Sequence, residues 1–97
     1  MKIWLDDCRP MPDYFDTYVK TAEEAIELLK TNKVTDISLD HDLGTEQSGY
    51  TVAKFIEESA FAGSLSPIKV YVHTQNPVGR RNIVTAIQNA ERYWGIS

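Results

Sequence analysis

The chain is predicted to fold as an α/β domain, a small three-layer sandwich built on a parallel four-stranded sheet of order 2-1-3-4 flanked by helices. Three observations predict it. Short apolar runs alternate with segments of helical period, the pattern of strands joined by helical crossovers. Ninety-seven residues at 42% hydrophobic content build one core and not two, so residues 1–97 are expected to form a single domain. Right-handed crossovers place the first two helices on one face of such a sheet. A proline-rich loop then crosses the other face, and the final helix is expected to fold back and cover it.

The first strand covers about residues 2 to 6 and ends in Asp6-Asp7. Cys8-Arg-Pro-Met-Pro-Asp13 is a loop, because two prolines remove donors and break a helix. Thr17-Tyr-Val-Lys20 is a short β-like run. Thr21-Ala-Glu-Glu24 reads as a capping box that opens a helix with Ala22, Ala25, Ile26, Leu28 and Leu29 on its stripe, ending near Asn32. The next strand runs from Asp36 toward Asp40-His-Asp42, followed by the turn-rich Gly44-Thr-Glu-Gln-Ser-Gly49. A helix from about Tyr50 to Ala62 buries Val52, Ala53, Ile56 and Ala60, with Gly63 as terminator. Ile68-Lys-Val-Tyr-Val-His-Thr74 is the last strand. Asn76-Pro77 then opens a helix striped by Ile83, Ala86, Ile87, Ala90 and Tyr93.

The net charge of -4 gives no general attraction for nucleic acid or anionic membrane and argues against extended duplex nucleic acid as a partner. A single cysteine, Cys8, excludes an internal disulfide and suits a reducing compartment. No apolar stretch approaches the roughly 18 residues of a membrane span. The amino-terminal residues meet charge too soon for a signal peptide, so a cytoplasmic chain is expected.

The functional signal is where the apolar runs stop. In neighbouring parallel strands, Asp6, Asp7, Asp40, His41, Asp42, His73 and Thr74 gather at the carboxyl-terminal edge of the sheet, where open α/β sheets bind ligands. Crowded carboxylates repel one another, and a cation relieves them. Asp6, Asp7, Asp40 and Asp42 are therefore candidate ligands for Mg2+ (or Mn2+), with Asp40 and Asp42 sharing a face by strand alternation. His41 or His73 would move a proton. The helix start at Asn76 is an anion site, and Arg80 and Arg81 in its first turn oppose the helix dipole unless something negative binds there. Arg9 either neutralises Asp7 or reaches the substrate. Cys8 reads as structural, and Trp4, Tyr93 and Trp94 as packing.

These residues resemble a minimal receiver-type domain, in which an acidic pair follows the first strand, a phosphoacceptor aspartate the third and a Ser/Thr the fourth. More closely, Ile3-Trp-Leu-Asp-Asp-Cys-Arg-Pro10, Ser38-Leu-Asp-His-Asp-Leu-Gly44 and Val72-His-Thr-Gln-Asn-Pro-Val-Gly-Arg-Arg-Asn82 resemble the cyclic-phosphate processing receiver-like domains. The resemblance spans nearly the whole chain. It implies a truncated receiver- or flavodoxin-like fold and an activity on a cyclic phosphate of a nucleotide or an RNA end. The chain departs from ordinary receivers in two places. The proline-rich loop stands where they have a first helix, and no fifth strand supplies their lysine, which argues against aspartyl-phosphate switching.

Three functions compete. A metal-dependent phosphoesterase would use Asp40, His41 and His73 in catalysis, with Arg9, Thr74, Asn76, Arg80 and Arg81 holding a small phosphorylated or cyclic nucleotide. A non-catalytic module would keep the nucleotide or phosphate site, or dock a partner, without turnover. A nuclease-like acidic site would reuse the Asp40-x-Asp42 pattern, against which the negative charge counts.

Overall fold

Residues 1–96 are described by a computed structural model of the chain. Strands β1 (Lys2–Leu5), β2 (Thr17–Val19), β3 (Asp36–Leu39) and β4 (Lys69–Val72) form one parallel sheet of order β2-β1-β3-β4, as predicted. Helices α1 (Ala22–Leu29), α2 (Gly49–Ala62) and α3 (Pro77–Trp94) complete the chain. The local signals do what their chemistry requires. Thr21 caps α1 by accepting from the Glu24 N–H at 3.2 Å, and Asn76 caps α3 by accepting from the Gly79 N–H at 2.9 Å. Gly63 ends α2 with φ of 74°, a left-handed turn that costs a glycine little.

The core lies between the sheet and the helices. Ile3, Leu5, Ile37 and Leu39 point into it, and so do Ala25 and Leu29 of α1, Val52 and Ile56 of α2, and Ile83 and Ile87 of α3. The final helix does not fold back over the other face. It lies along α2, where Asn89 Nδ2 donates to Glu57 at 2.6 Å, Phe61 meets Tyr93 edge-on at 5.1 Å, and Trp94 Nε1 donates to the Leu65 carbonyl at 2.8 Å.

The thin third layer is the proline-rich segment itself. Strand alternation turns Trp4 and Ser38 to the helix-free face. Phe15 comes down on Trp4 with centroids 5.3 Å apart, and Tyr14 and Tyr71 pack edge-on around Phe15. The Tyr14 and Tyr71 hydroxyls both donate to buried Asp36, at 2.8 and 3.3 Å. This aromatic plug closes the face that the final helix leaves open.

Candidate functional site

The sheet register continues one residue beyond the strand ends, and that row is the site. Leu5, Leu39 and Val72 stand side by side. In the next row the Asp6 N–H donates to Val19, the Asp40 N–H to Leu5 and the His73 N–H to Leu39, at 3.2, 3.1 and 3.0 Å. Alternation sends these three side chains to the helix-free face, with Trp4 and Ser38 beneath them. Asp6, Asp40 and His73 each offer one ligand atom within 4.8 Å of the others. Residues 34 and 33 apart in sequence thus meet around one point.

Asp6 is wholly buried. Its Oδ1 accepts from the backbone N–H of Cys8 and of Arg9, both at 2.9 Å, and its Oδ2 accepts from His73 Nε2 at 2.9 Å. Burial pushes the Asp6 carboxyl up, but the Arg9, Cys8 and His73 donors outweigh it and hold it below the usual carboxylate range. His73 stacks on Trp4, centroids 3.8 Å apart and rings 8° from parallel. Burial lowers its pKa from the ordinary 6.5, against the raising influence of Asp6 and Asp40. The ring is therefore neutral at pH 7. A carboxylate only accepts, so Nε2 carries the proton and Nδ1 accepts from the Ser38 hydroxyl at 2.7 Å.

Asp40 is the odd member. It is 8% exposed, and among the described residues nothing donates to its carboxylate and no lysine or arginine pairs with it. A carboxylate that receives no donor and stands beside ionised Asp6 sets negative charge against negative charge, which a cation would relieve. The donor set fits a hard divalent ion: Asp40 is open, and Asp6 has lone-pair capacity left. His73 fits less well as a ligand, since both its nitrogens are engaged.

Stability should respond to pH through this network. Both groups have folded values below their unfolded ones, so each contributes stability at high pH that is lost on acidification. For His73 the loss begins as pH falls below about 6.5 and runs down through its folded value; for Asp6 it begins below about 3.9. Thermal melts should give a lower Tm at pH 5.5 than at pH 7.5, and His73→Gln should flatten that difference. An unchanged slope in the variant would assign the dependence to other groups.

The other predicted residues divide. Asp7 is exposed and forms a second acidic group with Asp6 and Cys8. Asp42 does not join Asp40. The strand ends at Leu39, alternation lapses, and the two-thirds-exposed Asp42 side chain accepts instead from His41 Nδ1 at 3.0 Å. His41 keeps Nε2 without a hydrogen-bond partner among the described residues, and its ring lies against Gly79 in the first turn of α3. Arg9 Nη1 donates to the His73 carbonyl at 2.8 Å and Arg80 Nη2 to the Thr74 carbonyl at 3.0 Å, so two guanidinium groups converge on consecutive carbonyls. Arg81 does not join them; it lines a groove between α2 and α3 with Tyr50, Lys54 and Glu57. Thr74 is buried, its hydroxyl accepting from the Asn76 N–H at 3.2 Å, and the Asn76 side chain is spent on the cap. Ser38 was not predicted; a hydroxyl between Ile37 and Leu39 in a buried apolar strand was the available sign.

A family model described as the cyclic-phosphate processing receiver domain matches residues 1–89. The chain belongs to this family. No curated protein and no solved structure matches it. In this receiver domain the sheet stops at four strands among the described residues, and the proline-rich segment takes the place of the first receiver helix. Among the described residues, no helix is long and apolar enough to cross a membrane.

Proposed function

We propose that this receiver domain is a metal-dependent phosphoesterase that opens a cyclic phosphate of a nucleotide or an RNA end. The observation that carries the reading is the Asp40 carboxylate, which accepts no hydrogen bond among the described residues and is set against Asp6. Asp40 and Asp6 would hold Mg2+ or Mn2+, with Asp7 at the exposed margin, while Ser38 and His73 fix the Asp6 carboxylate. When bound, such an ion polarises a phosphoryl oxygen and lowers the pKa of water. Arg9 and Arg80 each retain N–H donors beyond the one given to a carbonyl, and no carboxylate pairs with either among the described residues; they stabilise charge developing on the phosphoryl oxygens.

His41 is assigned the proton transfer. Asp42 accepts from Nδ1–H, which leaves the Nε2 lone pair to take the proton of the attacking water. A phosphorus–oxygen bond to water forms, one ring ester bond breaks, and the leaving oxygen is protonated, giving a phosphate monoester and a free hydroxyl. A panel of 2′,3′- and 3′,5′-cyclic mononucleotides, run with Mg2+, Mn2+ or EDTA, tests this. Metal-dependent product is expected, and His41→Gln should lower kcat about 100-fold with little change in KM. Binding without product would favour the non-catalytic module instead.

A further inference from the structure

On the helix-free face, a cleft of about 360 Å³ opens beside the carboxylates, lined by Tyr14, Phe15, Ser38, Tyr71, Val72 and His73. Its volume falls at the small end of ligand pockets, which run about 300–1,000 Å³. We infer that this cleft binds the base of a nucleotide whose phosphate sits at Asp40. The inference rests on the phosphoesterase reading and adds the organic half of its substrate.

Three observations carry it. The cleft and the acidic row share His73, so a single imidazole separates a flat aromatic pocket from the phosphate site. That imidazole has one face on Trp4 and both nitrogens occupied, and it forms part of the cleft's lining. A base laid there would extend the Trp4–His73 stack. Finally, the row across the sheet is Trp4, Ser38, Tyr71, Phe15 covers Trp4, and the small Ser38 helps to line the cleft beside Phe15 and Tyr71. Tyr71 is 41% exposed on the edge strand, with a ring available to a ligand. Stacking on aromatic rings is the sequence-tolerant way proteins hold bases.

Calorimetry in Mg2+ with two product-like ligands tests the idea: adenosine 3′-monophosphate, and methyl riboside 3-phosphate, which lacks the base. The wild type should bind the adenosine ligand about 10-fold more tightly or better. Tyr71→Ala should erase that advantage while leaving the base-free ligand unaffected, and Tyr71→Phe should preserve it. Tyr14 still satisfies Asp36 in both variants, so the fold has a remaining tie at that point. Equal affinities in the wild type would overturn the base cleft and leave the phosphate site standing. A base advantage that survives Tyr71→Ala would also overturn the cleft. Binding of neither ligand would sink the phosphate site and the cleft together.

Discussion

Asp40→Asn should abolish metal-dependent turnover and, in metal-free buffer, make the chain more stable. The two effects have one origin. Asp40 is nearly buried, receives no hydrogen bond among the described residues, and stands within 4.8 Å of Asp6, whose own donors keep it ionised. Asparagine keeps the shape and removes the charge, relieving repulsion between the carboxylates. A gain on the order of 1 kcal/mol is expected, as for other residues held in place by function at the expense of stability. Adding Mg2+ should raise the Tm of the wild type and leave that of the variant where it was. A variant that loses stability, or that keeps the Mg2+ response, would show Asp40 to be an ordinary structural residue.

Gly49→Ala is the second large effect, and it acts on the backbone. A Cβ at position 49 would lie 1.8 Å from the Asp40 carbonyl oxygen and 2.8 Å from its carbon. Neither is the end of a flexible side chain, so α2 or the end of β3 must move. The Gly49 N–H also donates to the His41 carbonyl at 3.0 Å, a bond that such movement would stretch. Overpacking here should cost about 3 kcal/mol, and lower the Tm by roughly 15 °C. Gly79→Ala is a milder case: its Cβ would meet the His41 ring at 2.3 Å, and a ring can swing aside. That substitution should spare most of the stability and displace the proposed base. Near-equal losses of stability in the two variants would contradict this distinction.

Much of this was legible in the sequence because the strands stop on charge. Apolar runs ending in Asp6, Asp40 and His73 marked both the sheet and its candidate site edge, and the expected order 2-1-3-4, with right-handed crossovers on one face, is the order found. The position of α3 was not legible. Its stripe of Ile83, Ala86, Ile87 and Ala90 shows that one side is buried but not against what. The outcome depends on Trp4, Phe15, Tyr14 and Tyr71, which fill the helix-free face and leave α3 only the side of α2. Asp42 was misplaced because alternation was carried beyond Leu39, where the strand ends. The occupancy of both His73 nitrogens depends on Ser38 across the sheet, a contact that spacing along the chain does not reveal.

Mn2+ titrated in substoichiometric amounts into 15N-labelled chain, read by paramagnetic broadening of amide signals, maps where a divalent ion sits. An ion held by Asp40 and Asp6 beside His73 predicts that amides around residues 6–8, 40–41 and 73 broaden first and together, and that Asp40→Asn abolishes the effect. Broadening confined to exposed acids such as Asp42 and Glu46, with Asp6 and His73 untouched, would contradict it.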